Sequence, residues 1–281
     1  SKESVRLIFV RKGYMIKKVL QRGSSNKGYG FWGALLLLVI WWTVCRLGIW
    51  STYLLPSPEK ILHTFLELCS GGELFKAILV SLQRVACGIT FAFISAMLLG
   101  LLNGINSGFA AWTRPMIHFL RNIPPLSIIP LLILWCGIGE LSKVLLIFLS
   151  AFFPMFLNIE KGISGCERAL LEVGKSFSFS KRKIFRYIVL PYAVPDILVG
   201  VRVGMGYSWR AIVGAEMIAS TSGLGHLILD AQYMARPDRV IVVVLTIGTL
   251  GYLCDKLFAL AIRHLPWNGE AYVGNCDTTA A

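Results

Sequence analysis

Charge is scarce in this chain, and acid is scarcer than base. Only 15% of the 281 residues are Asp, Glu, Lys or Arg, against about a quarter in ordinary soluble domains, with 28 Lys and Arg to 15 Asp and Glu. So little charge excludes a conventional soluble surface. Paired cysteines are missing too: Cys45, Cys69, Cys87, Cys136, Cys166, Cys254 and Cys276 include no C-x-x-C spacing, which indicates neither a disulfide framework nor a metal site. His63, His118, His226 and His264 are scattered, and no Ser-His-Asp or paired-carboxylate set emerges, so an enzyme reading has no catalytic constellation. A nucleotide loop is absent as well. Gly174-Lys175-Ser176 has the tail of one, but Ala169 stands where the first glycine is required. No internal repeat or low-complexity segment is visible.

What the chain has is apolar surface. Hydrophobic residues make up 56% of it and mean hydropathy is +0.67, the composition of a polytopic membrane protein. A hydrocarbon core about 30 Å thick needs roughly 20 apolar residues per helix. Six stretches qualify: about 30–50, 78–103, 121–138, 142–160, 193–216 and 239–262. The expected fold is therefore an all-α, six-span helical bundle. Pro124, Pro125 and Pro130 interrupt the third span, so its helix either starts nearer Trp112 or is broken within the bilayer.

The formal charge of +13 would suit nucleic acid, but its distribution does not. Lys2, Arg6, Arg11, Lys12, Lys17, Lys18, Arg22 and Lys27 crowd the first thirty residues, and Lys161, Arg168, Lys175, Lys181, Arg182, Lys183 and Arg186 crowd 161–192. Both groups fall on one side of a six-span bundle, which by the positive-inside rule makes both termini cytoplasmic. That placement decides against nucleic acid, and the first 28 residues read either as an arm lying on anionic membrane lipid or as a mobile tail that obeys the topology rule. Residues 1–28 read as a basic cytoplasmic arm, 29–265 as the membrane domain and 266–281 as a cytoplasmic tail. The run Phe31–Cys45 is as short as a signal peptide's, but no small-x-small cleavage site follows it. Arg46 can snorkel while Leu47–Trp50 complete the span. Ser57-Pro58-Glu59 predicts the start of a short external helix that Gly71 and Gly72 end.

Charges within apolar spans are costly and face a cavity or a partner. Arg84, Asp196, Arg202, Arg210 and Glu216 are such residues; for Asp196, near a helix end, interfacial hydration is the expectation. Arg202, Trp209 and Glu216 recur every seven residues and share one helical face. Two readings stand for Arg84, Arg202, Trp209, Arg210 and Glu216: the polar wall of an anion pathway, or structural pairing of Arg84 or Arg202 with Glu216. Gly100-x-x-x-Gly104 and Gly200-x-x-x-Gly204 predict close helix approach. Ser222-Gly-Leu-Gly225 suggests a re-entrant turn at the external mouth.

The segment 161–192 is too long for a simple connector and too patterned for disorder. Residues 165–177 read as one helix; Ser180 caps a second through about Val189, which Pro191 stops. The pair forms a cytoplasmic helix-turn-helix finger. Its sequence, with Glu172, Val173, Gly174, Ser178, Ile188, Leu190 and Pro191 at fixed spacing, resembles the ATPase-coupling loop of ABC-importer permeases. There the pattern is Glu-Ala-Ala, three residues, Gly, nine residues, Ile-x-Leu-Pro. Val173 and Gly174 stand for the alanines and Ser178 for the glycine, so a turn that needs positive φ would strain Ser178 or be built differently.

The resemblance extends through Trp41-Trp42-Thr43, Leu55-Pro-Ser-Pro58, Arg121-Asn-Ile-Pro-Pro125, Leu134-Trp-Cys-Gly-Ile-Gly-Glu140 with Ser142-Lys143, Gly214-Ala-Glu216, Ser222-Gly-Leu-Gly225 and Pro266-Trp-Asn-Gly269. It is closest to permeases for taurine, aliphatic sulfonates, nitrate and bicarbonate. It implies a bacterial cytoplasmic (inner) membrane subunit, two copies forming the pathway, two cytoplasmic ATPase subunits that carry ATP and Mg2+, and an extracytoplasmic solute-binding protein. It implies no cofactor in this chain. Related permeases also move thiamine precursors and flavins. A secondary transporter is the alternative from another class, but it predicts inverted repeats and no docking finger.

Overall fold

The protein is described by a computed structural model over residues 27–48, 50, 51 and 53–263. The expected tail 266–281, the Pro266-Trp-Asn-Gly269 motif and all but the last two residues of the basic arm lie outside the described residues. Every described element is a helix or a helical turn. The chain divides into two units, 1–62 with 259–281, and 63–258.

In the first unit, α1 (Lys27–Arg46) ends with Arg46 over the Trp42 ring, 5.0 Å from its centroid. Ser57 Oγ then accepts the Lys60 N–H at 3.3 Å and Pro58 opens α2 (Pro58–Ser70), as the Ser-Pro-Glu pattern predicts.

The second unit is built on three long helices. α3 (Glu73–Ile105) and α9 (Leu190–Ala219) both pack on α6 (Glu140–Ser164). Lipid tails are as apolar as side chains, so close packing rather than hydrophobicity must hold such helices together. The sequence supplies it through small residues. A side chain at Gly100 or Gly104 of α3 would strike Ile159 or Ile163 of α6, and one at Gly200 or Gly204 of α9 would strike Asn158 or Met155. Both expected glycine pairs thus bring backbones together. Around them Phe152, Met155, Phe156 and Ile159 interleave with Ala92, Ala96, Ala193 and Ile197 as the core.

The third expected span is broken. α4 (Ser107–Leu120) is capped by Asn106, whose Oδ1 accepts the Phe109 N–H at 3.1 Å. A tight turn over Pro125–Ile128 then leads into α5 (Ile129–Cys136), and the two halves meet at 86°. Pro124 and Pro125 withhold two N–H groups where the helix would continue. Among the described residues four helices are long and apolar enough to cross a membrane: Glu73–Ile105, Glu140–Ser164, Lys181–Ala219 and Pro237–Ile262. The bent pair makes up to a fifth, and α1 contributes the shorter apolar stretch Leu35–Arg46.

Pro191 does not stop its helix. α7 (Arg168–Ser176) and α8 (Lys181–Ile184) form the finger, and α8 runs through a wide π turn, Phe185–Val189, directly into α9. Proline breaks a helix because its ring clashes with the carbonyl four residues back and it has no N–H to offer. The π turn widens the backbone just before the ring, with the Leu190 N–H bonded to Phe185 O. The helix therefore continues, and the fifth span is longer than expected. α10 (Leu224–Tyr233) and α11 (Pro237–Arg263) complete the chain.

Candidate functional site

Three regions bring the singled-out residues together, beginning with the finger. The end of α7 carries paired backbone bonds, Phe179 N–H to Gly174 O at 3.0 Å and Ser178 N–H to Lys175 O at 2.8 Å, with Ser178 at φ 54°. This is a Schellman closure, whose left-handed position glycine usually fills. Ser178 therefore takes the strained option. Gly174 is buried: a Cβ there would lie 2.6 Å from Ile188 Cδ1 and 3.1 Å from Ile184 Cγ1, so the missing side chain lets the two arms close. Ser180 caps α8 by accepting the Lys183 N–H at 3.4 Å. Ile188, Leu190 and Pro191 are half-buried at the base, whereas Glu172, Val173 and Phe177 are exposed.

The second region lies at the other end of the bundle. Arg84, 4% exposed, uses every guanidinium donor. Nε and Nη2 reach Glu140 at 2.6 Å each, Nη1 reaches Glu216 at 2.7 Å and Ser222 O at 2.8 Å, and Nη2 also reaches Ser222 Oγ at 3.0 Å. Lys143 Nζ adds a 2.9 Å bond to Glu140. Glu216 is fully buried, and burying a carboxylate is tolerable only with such partners. Besides Arg84 it accepts from Ser81 Oγ and, at 2.9 Å, from the Gly225 N–H, while the Leu224 N–H donates to Ser81 Oγ at 3.0 Å. Glu216 and Ser81 thus satisfy the opening N–H groups of α10, where the helix dipole favours negative charge. Gly223, at φ 108°, lies where any side chain would strike the Glu216 carboxylate. The Ser222–Gly225 turn is consequently pinned from beneath.

The third region is the length of α9. Arg202 makes a two-point ion pair with Asp255 of α11, 2.7 and 2.8 Å, and Trp209 Nε1 donates to Ile247 O at 2.9 Å. Arg202 therefore pairs with Asp255 rather than Glu216. Arg210 is exposed, stacked 5.8 Å from the Tyr207 ring centroid, with no ion pair among the described residues. Asp196 is buried beside Lys161 at 3.2 Å, so a partner and not hydration accounts for it. Sequence reasoning missed Asp255, Ser81 and the roles of Glu140 and Lys143. Asp255 carries the same signal as Asp196, a charge inside an apolar run, whereas nothing local marks Ser81 as a helix cap for a segment 143 residues away.

The described residues thus combine long apolar helices, a buried polar cluster at one end and an amphipathic helix pair at the other. The chain belongs to the family of binding-protein-dependent transport system inner membrane components, whose model matches residues 88–265. It is 34% identical to the taurine transport system permease protein TauC of Escherichia coli, covering 84% of this chain and 88% of that one. It is equally identical to SsuC of Bacillus subtilis, named for aliphatic sulfonates transport, over 92% and 95%. The nitrate import permease protein NrtB of Synechocystis is 33% identical over 80% and 84%. The fold is that of solved ABC transporters. An inward-facing methionine transporter, MetNI, matches with TM-score 0.60 and 16% identity, covering 68% of this chain and 95% of that one. An amino acid transporter crystallised with histidines matches with TM-score 0.62 and 16% identity over 72% and 98%. The chain is thus an inner-membrane ABC permease of the sulfonate, taurine and nitrate type.

Proposed function

We propose that two copies of this permease form the pathway of an ATP-driven importer for a small solute that carries an anionic group, such as a sulfonate, taurine, nitrate or bicarbonate. The observation that carries the anion is Arg210. It lies about 14 Å along the helix from Ala219, near the middle of a 30 Å core, exposed and without a counter-charge among the described residues. A cation at that depth needs water, a solute or a partner. With Val203 and Tyr207 it forms the exposed stripe of α9, the face two copies would turn toward a shared pathway. In this reading the finger is cytoplasmic and six crossings keep both termini there. Exposed Val173, Phe177 and Glu172 offer a mixed apolar and acidic surface to each of two ATPase subunits, and closure of the ATPases on ATP and Mg2+ draws the fingers together. The binding protein delivers solute to the opposite face.

Uptake by the reconstituted transporter, together with melting in detergent, tests Arg210→Gln beside Arg202→Gln and Glu216→Gln. Arg210→Gln is expected to slow uptake at least tenfold with the melting point kept, while the other two lower the melting point by leaving buried or half-buried charges unpaired. Normal uptake with Arg210→Gln removes the anion argument.

A further inference from the structure

Along one face of α9, Val203, Tyr207, Arg210, Gly214 and Met217 follow one another at three- and four-residue steps. Val203, Tyr207 and Arg210 are exposed, and Met217 is half-buried. The glycines of this face show where it passes from open to covered. A Cβ placed on Gly206, one turn before Arg210, meets nothing within 4 Å, whereas one on Gly214, one turn after it, would lie 2.4 Å from Leu126 Cδ2. The empty notch and the filled one stand about 12 Å apart along the helix.

The filling side chain comes from the turn that breaks the third span. Within that turn the Ser127 N–H and hydroxyl both donate to Pro124 O, at 3.0 and 2.7 Å. Directly after it, Ile129 and Leu132 of α5 are buried against Leu146 of α6 and Ala211 and Ala215 of α9, which anchors the turn to both helices. Leu126 is no part of that anchor. It is 48% exposed, and its tip alone enters the Gly214 notch. At Gly200 and Gly204 the backbone of α6 lies within 3.2 Å of an added Cβ, as close helix packing requires; at Gly214 the three nearest atoms all belong to the Leu126 side chain. The notch therefore seats a side chain that can leave it without unpacking two helices.

We infer that Leu126, seated in the Gly214 notch, is a stopper that closes the α9 face on the side away from the finger. The inference deepens the proposed function and rests on its placing this face along the solute pathway. Arg210, with no ion pair among the described residues, attracts anions from either compartment, so a face that ended in Arg210 alone would let them leak. An apolar side chain across the outer approach opposes that leak, because a constriction without hydrogen-bonding groups sheds water and passes no hydrated ion. The face is then open toward the finger, where Gly206 is uncovered, and shut one turn beyond Arg210.

The test reads the accessibility of the face itself and needs no knowledge of the solute. Right-side-out and inside-out membrane vesicles carry the permease with its ATPase, the native cysteines replaced and Val203→Cys introduced, and are treated with an impermeant methanethiosulfonate in the absence of ATP. Reaction from the outer side is expected to be at least tenfold slower than from the finger side. Leu126→Ala, which removes the stopper, and Gly214→Ala, which evicts it, each raise the outer rate at least tenfold, while Leu126→Met keeps it slow. The two alanine substitutions together are no faster than Leu126→Ala, since the added methyl then has nothing to evict. Equal rates from the two sides with Leu126 in place, or an outer rate unmoved by Leu126→Ala, overturns the inference. Absent reaction from both sides means that the α9 face is covered, and overturns the pathway reading along with the stopper. One-sided reaction that Leu126→Ala makes two-sided, alongside normal uptake by Arg210→Gln, removes the anion argument and leaves the stopper standing.

Discussion

At Ser178 and Ala235 the backbone enters the left-handed region with φ 54°. Each sits at the same position of a Schellman closure; at Ala235 the partner bonds are Arg236 N–H to Ala231 O and Ala235 N–H to Gln232 O. A side chain there costs about 1 kcal/mol or more, and glycine removes that cost while adding roughly 0.5–1 kcal/mol of unfolded-state entropy. Ser178→Gly and Ala235→Gly are therefore expected to leave thermal stability in detergent unchanged or raise it by up to about 1 kcal/mol. A clear drop in melting point would contradict the geometry. The Ser178 turn was legible because the family pattern has glycine there. Ala235 was not, because alanine advertises nothing about φ and only the finished turn reveals the requirement.

Among the elements, the finger shows how far local pattern carries. Ser180 as a cap and two helices on either side of it follow from side-chain chemistry within a few residues. The passage through Pro191 does not, because a proline signals a helix end unless the backbone before it widens, and no residue type encodes a π turn. Gly174 is where the arms touch, so Gly174→Trp should force Ile184 and Ile188 apart and unseat the finger. Glu172 is exposed, so Glu172→Lys should leave the finger folded and change only what it meets. Copurification with the ATPase and solute-stimulated ATP hydrolysis separate the two. The tryptophan variant is expected to lose both, and the lysine variant to lose at least tenfold in stimulated hydrolysis while remaining inserted in the membrane. Full coupling in both would mean that the finger does not dock.

For the whole molecule, the four helices long and apolar enough to cross a membrane were legible from uninterrupted apolar length alone. The third expected span was legible as a problem, since its prolines announced a break but not its 86° angle, and Arg114 of α4 reaches Glu160 of α6 at 2.7 Å, a partner far away in sequence. Topology is testable by cysteine labelling in a cysteine-free background. Ser70 and Thr221, both exposed at the end away from the finger, should react with an impermeant reagent from outside, and Ser180 should not. Thr221 serves better than Ser222, whose hydroxyl binds Arg84. Labelling of Ser180 from outside would invert the bundle. The cluster of buried Arg84, Lys143 and Glu216 with the exposed Glu140 has a further property at this scale: two positive and two negative groups sum to zero. One elementary charge moved across 100 mV corresponds to about 2.3 kcal/mol, so a balanced cluster can shift with its helices without electrical work. The membrane voltage then acts on the solute and on unbalanced charge such as Arg210, and current recorded during turnover reads the sum of the two.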